Sequence, residues 1–283
     1  MRVMSFNVLS KDLPQKKVYG GEDLFTDARV SVRGLGLNAV LNGESVDIAG
    51  LQELSLPWRQ WLTENLDGKY AAVGDHTKAT GEAGYILYRK DKYEVLHSGR
   101  FWLAEGAPDE AVVGWDSKFD RLCVWALFTE KQNGKRFLFF DTHLDHIGVL
   151  ARPRQASVIM KQIEKKQAYV RQSYGIENCP VILTGDMNSE PTTKTYVIYT
   201  SGLRDARVCS VGDTIEACYC TSPDFYLCES AEKYSRKGHI IDYIFVSENI
   251  TVNSYSMVHT ATKLCQYGEY ISDHNAIFAD VEF

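Results

Sequence analysis

The sequence predicts an α/β protein in which two mixed β-sheets pack face to face with helices on their outer surfaces. Three observations carry that expectation. β-rich stretches come in neighbouring pairs separated by turn signals, as antiparallel hairpins do. Helical patterns interrupt them irregularly, whereas a doubly wound parallel sheet would alternate strand and helix. No Pro/Gly linker or composition shift divides the 283 residues, so 1–283 reads as one domain. A chain of this length buries roughly three quarters of its unfolded surface, enough for a two-layer core without disulfides.

The elements follow in order. Met1 to Val8 reads as a strand, and Leu9 to Thr26 as a polar, glycine-bearing loop. Arg29 to Asn42 carries Val30, Leu35, Leu37, Val40 and Leu41 at helical positions, and Asn42-Gly43 closes it. Val46 to Glu53 is a buried strand that finishes in a carboxylate. Ser55 then caps a helix with Trp58, Trp61, Leu62 and Leu66 on its core face. Tyr85–Tyr88 and Tyr93–Leu103 read as a hairpin across Arg89 to Lys92. Arg121–Thr129 and Arg136–Thr142 read as another, across Asn133-Gly134. Ala156 to Tyr174 predicts a long amphipathic helix with Ala156, Ile159, Met160, Ile163 and Val170 towards the core. Val181 to Leu183 is a short apolar run ending at Gly185, and residues 205–238, rich in Ser, Cys and Asp, read as a surface excursion. Strands return at His239–Val246, Thr251–Val258 and Asn275–Phe283.

Composition narrows the function. A net charge of -6 argues against tight non-specific binding to nucleic-acid backbones, which runs on surplus Lys and Arg. No apolar run approaches the ~18 residues of a membrane span. The first residues already read as a strand with no cleavage site behind them, so no secretory leader is expected. The seven cysteines are odd in number and lack CxxC spacing. Cys218, Cys220 and Cys228 cluster loosely with no histidine at zinc-like distance. Free thiols, a cytoplasmic location and a monomer are the expectations.

The chemistry-bearing residues sit where apolar runs stop. They are Ser5-Phe-Asn7, Gln52-Glu53, Thr142-His-Leu-Asp-His146, Gly185-Asp-Met-Asn188 and Ser272-Asp-His274. Ile240 to Phe245 adds Asp242 inside an apolar strand, where a lone carboxylate is costly unless paired. Each has a bland alternative: Asp186 and Asn188 as an Asx turn, Glu53 as a helix-start charge, Asp242 as a salt bridge, His143 as a satisfied core histidine. Side chains two apart on extended backbone share a face, so Asp186 and Asn188 would stand together.

Six motifs in this order, SFNV, LQE, THLDH, GDMN, IDYIF and SDHN, resemble the endonuclease/exonuclease/phosphatase (DNase I-like) superfamily over nearly the whole chain. The resemblance implies a four-layer α/β/β/α sandwich and a divalent-metal-dependent phosphoester hydrolase. It implies Glu53 as main ligand for Mg²⁺ or Mn²⁺, with Asn7 and Asp273 beside it. Asp186 would orient or deprotonate the attacking water, Asn188 and His143 would donate to phosphate oxygens, and Asp242 would hold His274. That imidazole would act either as base or as a stabiliser of the developing charge. Glu82 lies where relatives carry a glutamate that orients the histidine. Arg121 lies where some relatives place an arginine near substrate, with a plain surface charge as its alternative. Arg152 and Arg154 read as a solvated helix start, Trp102 and Trp115 as core or rim packing, and His146 as structural.

Marks of particular subfamilies are missing. Ile241 stands where relatives often carry a basic residue before the aspartate, and no inositol-phosphatase, abasic-site or membrane-docking signature is present. A small phosphorylated metabolite is therefore the favoured substrate, with DNA or RNA phosphodiesters as the alternative. A catalytically dead binding module is disfavoured, because each motif keeps its reactive residue.

Overall fold

The computed structural model describes residues 1–10, 30–66, 68–77, 83–216, 220–223, 238–261 and 271–283. The seven-stranded sheet is built from β1 (Arg2–Asn7), β2 (Ile48–Gln52), β3 (Tyr70–His76), β4 (Ala83–Arg89), β10 (Thr214–Glu216), β12 (Thr251–Met257) and β13 (Ile277–Glu282). Its order is β10-β12-β13-β1-β2-β4-β3. The six-stranded sheet is built from β5 (Tyr93–Trp102), β6 (Leu122–Glu130), β7 (Arg136–His143), β8 (Val181–Asp186), β9 (Arg204–Asp205) and β11 (Asp242–Val246). Its order is β5-β6-β7-β8-β11-β9. Both sheets are mixed: β1 runs parallel to β2 and β7 parallel to β8, while β1 with β13 and β8 with β11 are antiparallel.

Period-two alternation explains the layers. Val3, Ile48, Phe139, Ile182, Ile244 and Ile277 face inward and form the core between the sheets. Met4, Phe6, Ala49, Leu51 and Phe278 face the other way, onto α1 (Val30–Gly43) and α2 (Leu56–Leu66). On the second sheet Leu138, Phe140, Val181, Leu183 and Phe245 pack against α3 (Ala151–Tyr174) and α4 (Lys194–Thr200). The result is the expected sandwich of two sheets with helices outside. Trp58, Trp61, Leu62 and Leu66 are buried on α2 as the pattern requires. Trp102 is buried in the inter-sheet core.

The hairpin expected across Arg89 to Lys92 does not form. β4 pairs with β2 and β3 in one sheet and β5 pairs with β6 in the other, so this tight turn crosses between sheets. β4's hairpin partner is β3, which the sequence reading missed. That edge strand alternates between half-exposed and exposed positions and carries little apolar signal. The Asn133-Gly134 hairpin does form, with Thr129 opposite Arg136 and Gly134 at φ 74°, the left-handed backbone glycine favours. α3 starts five residues before the expected Ala156. Pro153 is its third residue, a first-turn position where the missing N–H costs nothing. Met160 on this helix is only half-buried.

Inside the expected excursion 205–238, the described residues include α5 (Ala206–Cys209) and β10. β11 begins at Asp242, not at His239, which makes only an isolated bridge with Ser222. Among the described residues Cys123, Cys179 and Cys209 are free thiols; Cys218 and Cys228 lie outside them. No described helix is long and apolar enough to cross a membrane.

Candidate active site at the strand ends

Towards one end of the sandwich the inward-facing rows change from apolar to polar. Two residues beyond Val3, Ile48, Phe139 and Ile182 stand Ser5, Gly50, Asp141 and Thr184, and two further on Asn7, Gln52, His143 and Asp186. Register aligns these rows: His143 pairs with Asp186, Asp242 with Asp186, and Asn7 with Gln52. Five motifs separated by long stretches of chain are thus delivered to one rim.

Asp186 is the centre. Its Oδ2 accepts from Asn7 Nδ2 at 3.1 Å and lies 3.5 Å from His143 Nε2 and 3.7 Å from His274 Nε2. Burial and the neighbouring Asp242 carboxylate push its pKa up to about 7, against the pull of His274, the Asn188 N–H and Asn7. Burial works against a charge on His274, yet the Asp242, Asp186 and Asp273 carboxylates prevail and raise its pKa well above the usual imidazole value. His274 Nδ1 donates to Asp242 Oδ2 at 2.9 Å. This imidazole is therefore a cation at neutral pH. The backbone N–H of Asp242 donates to Thr221 Oγ1 at 3.1 Å, while Asp242 Oδ1 has no partner among the described residues.

His143 behaves in the opposite way. Burial, then Arg121, His274 and His146, hold its pKa well below the usual range. Arg121 Nη1 sits 3.1 Å from His143 Nδ1. A guanidinium can only donate, so Nδ1 accepts and the ring proton resides on Nε2, facing Asp186. Arg121 is 5 % exposed, which removes the surface-charge alternative. Its Nη2 lies 3.4 Å from His146 Nδ1, so His146 shares this arginine with His143. Strand alternation from His143 would put His146 on the other face, but β7 ends at His143 and the rule ends with it. Asp145 is a buried scaffold, accepting from the backbone N–H groups of Lys118, Phe119, Ile147 and Gly148.

Glu53 stands just past β2 with φ 62°. Its Oε1 accepts from Asn7 Nδ2 at 2.9 Å and its Oε2 from Ser10 N at 2.8 Å. Asn7 therefore links Glu53 to Asp186. Asp273, pushed up to about 6 by burial and by Glu53 against His274, lies on the same side. Sequence reading missed Arg33. It is 2 % exposed on α1, donates to the carbonyls of Val8, Leu9 and Ile271, and feels both Asp273 and Glu53. The signal was there, as a lone cation within an apolar helical stretch.

Asn188 is not on extended backbone. Its φ is 45°, a left-handed position asparagine tolerates, and its N–H donates to Asp186 Oδ1 at 2.9 Å. The Asx turn thus forms, and it is the backbone N–H of Asn188 that meets Asp186. Its Nδ2 donates to Leu144 O at 3.0 Å. Glu82 lies outside the described residues.

Asp186, Asp242 and His274 offer ligand atoms within 4.8 Å of one another, a candidate carboxylate/His metal site among the described residues. Within this group His274 Nδ1 and Asp242 Oδ2 are already joined at 2.9 Å, so a cation would compete with that ion pair. Below the rim lies a second polar cluster. Asp141 Oδ1 accepts from Gln52 Nε2 at 2.6 Å and Thr184 Oγ1 at 2.8 Å, and burial pushes its pKa up to about 8. A Cβ on Gly50 would collide with both Asp141 and Thr184, so close approach of the sheets requires glycine there.

The family model described as "Endonuclease/Exonuclease/phosphatase family" matches residues 4–274. Similar solved structures include an endonuclease/exonuclease/phosphatase from Bacteroides vulgatus, 28% identical with TM-score 0.82, covering 100% of this chain and 98% of that one. The mannosyl-6-phosphatase Bt3783 of Bacteroides thetaiotaomicron VPI-5482 is also 28% identical, with TM-score 0.81 and full coverage of both chains (100%). D. rerio TDP2, solved with a single-strand DNA product, shares the fold at 18% identity and TM-score 0.70, covering 100% of this chain and 99% of that one. Comparison with curated proteins gives no match.

Proposed function

Because the chain belongs to the Endonuclease/Exonuclease/phosphatase family, we propose that it is a divalent-metal-dependent phosphoester hydrolase acting on a small phosphorylated metabolite. One observation carries the reading. Asn7, His143 and His274, from three remote segments, converge on a single oxygen of Asp186.

Asp186 is the group that orients and deprotonates the attacking water, since His274 already holds its proton. A phosphoester is an anion that repels an incoming nucleophile. The His274 imidazolium, fixed by Asp242, and the Nε2–H of His143 offset the charge that accumulates on the equatorial oxygens. Asn188 has a second amide hydrogen to donate there, and Arg121 holds His143 in the donating tautomer.

Glu53 and Asp273 fit a hard cation. Both offer carboxylate oxygen, and the repulsion between them is what a divalent ion would relieve. Asn7 turns its Nδ2 towards Glu53 while its Oδ1 accepts from Leu9 N at 3.0 Å, so its part here is to hold the Glu53 carboxylate in place. Mg²⁺ or Mn²⁺ held there would supply Lewis-acid neutralisation of the phosphate. The residues 1–283 act in this reading as one catalytic domain, working as a monomer in the cytoplasm. The Bacteroides mannosyl-6-phosphatase, alike over its full length, supports a small phosphomonoester over a polymer.

The test is a Mg²⁺/Mn²⁺ panel of p-nitrophenyl phosphate, bis-p-nitrophenyl phosphate, sugar phosphates, supercoiled plasmid and poly(A). Sugar phosphates should be cleaved best and EDTA should abolish turnover. Preferred cleavage of plasmid or poly(A) would replace this reading with the nuclease one. Asp186→Ala should keep the wild-type circular dichroism and lose roughly 10²–10⁴-fold in turnover.

A further inference from the structure

A cavity of about 440 Å³ opens beside Asn188, between the start of α3 and the loop that joins β8 to α4. Pockets of this order hold a small organic ligand. Arg152, Ser189, Glu190, Lys194 and His239 line it, with an apolar strip from Val149 and Ile241. We propose that this cavity receives the organic half of the substrate, and that this half is a sugar ring. The proposal rests on the phosphoesterase reading above and adds the part of the molecule that the phosphate-handling residues do not touch.

The walls are fixed. Tyr243 donates its hydroxyl to Ser189 O at 2.8 Å, and Thr193 donates both its N–H, at 3.0 Å, and its Oγ1, at 2.7 Å, to Glu190 O. Arg152 Nη1 donates to Asp145 O at 3.3 Å, and His239 Nδ1 meets Glu190 Oε1 at 2.5 Å. Within these walls one polar group is unspent. Ser189 is 4 % exposed, and its hydroxyl has no hydrogen-bond partner among the described residues. An unpaired buried hydroxyl is costly, and a χ1 rotation that turns it towards the cavity would let a ligand hydroxyl relieve it.

The lining chemistry selects the ligand class. Sugar hydroxyls both donate and accept, and the cavity offers a carboxylate to accept, two cations to donate and a hydroxyl that does either. Its apolar strip suits a C–H face of the ring. Its one aromatic ring among the described residues is the His239 imidazole, already engaged by Glu190, so a nucleobase would find no Phe, Tyr or Trp face on which to stack. The two cations stand against one carboxylate, a poor match for a polyphosphate chain.

Binding to the full chain in Mg²⁺, read by calorimetry, tests this with three non-hydrolysable probes: a hexose 6-phosphonate, methylphosphonate and a nucleoside phosphonate. The hexose probe should bind at least about tenfold tighter than methylphosphonate and tighter than the nucleoside probe. Glu190→Ala and Ser189→Ala should each remove a good part of that advantage, with unchanged Tm. Equal affinity for hexose phosphonate and methylphosphonate overturns the proposal. So does a hexose advantage that survives both substitutions, or a preference for the nucleoside probe. A hexose advantage in a protein that hydrolyses no phosphate ester would instead overturn the phosphoesterase reading and leave the sugar cavity standing.

Discussion

Asp141 on β7 and Asp186 on β8 are buried carboxylates on adjacent strands, both facing the opposite sheet, and burial raises both, to about 8 and about 7. Their neighbours differ. Asp186 lies among ions, with Asp242 pushing its proton affinity up and the His274 cation pulling it down. Asp141 meets the uncharged Gln52, Thr184 and the Thr142 backbone, and its Oδ2 has no partner among the described residues. A carboxyl with a pKa near 8 keeps its proton at neutral pH, so Asp141 is a neutral strut between the sheets. Asp186, one row nearer solvent, is poised to change its charge. Depth within the sandwich and the charge of the neighbours separate a structural acid from a reactive one.

Removing the ionic side of the contrast should have the largest effect. His274→Ala is expected to lower kcat roughly 10²–10⁴-fold, and Asp242→Asn to lower it by a smaller factor, with the thermal transition of each close to wild type. Steady-state kinetics beside calorimetric melting would reveal this. An Asp141→Ala variant as inactive as His274→Ala would erase the distinction.

Next in size is damage to the neutral cluster. Asp141→Ala leaves Gln52 Nε2 only Ser5 Oγ at 3.5 Å and Thr184 Oγ1 only Phe140 O at 3.2 Å, a loss of roughly 1–3 kcal/mol. Gly50→Ala drives a methyl into the same cluster, an overpacking that costs roughly 1–3 kcal/mol. Urea unfolding should show both losses, while kcat of the folded fraction at saturating metal stays within several-fold. Undiminished stability in either variant would mean that the strut carries no weight.

The smallest effect discriminates most finely. Asp141 has a folded pKa raised above its unfolded value, so its stabilising contribution is complete below about pH 4. It is lost as pH rises towards the folded value of about 8. Asp186 and Asp273 act in the same direction over part of that window. Asp141→Asn should therefore reduce, without abolishing, the decline of unfolding free energy between pH 4 and 8. The change in slope is at most one proton's worth, about 1.4 kcal/mol per pH unit. A variant with the wild-type slope would show that Asp141 is ionised in the folded protein.

Much of this was legible in the sequence because it was encoded at period two. The inward residues of β1, β7 and β8 run from apolar to polar to ionisable, so the apolar runs and the polar groups that end them both stood out. Local turn chemistry was less informative. The residues between β4 and β5 turn the chain equally well towards a neighbouring strand or across to the other sheet, and only burial of Ile86 and Trp102 in the shared core decides. β3 escaped notice because an edge strand needs few apolar residues. Arg121 could not be placed, since an arginine opening a strand looks the same whether it meets water or an imidazole. Ser189 could not be found at all: an unpaired hydroxyl is a property of three dimensions.

The position of β1 has a consequence for biosynthesis. It lies between β2 and β13, and its register with β13 joins Arg2 to Asp280. A nascent chain that has made every residue up to β12 still has the middle of this sheet open along one side. It also lacks the imidazolium at position 274. Folding that waits on so distant a pairing is slow, and the emerging polypeptide exposes an unpaired edge meanwhile. The site at this rim is therefore completed all at once, when β13 leaves the ribosome and closes the gap beside β1.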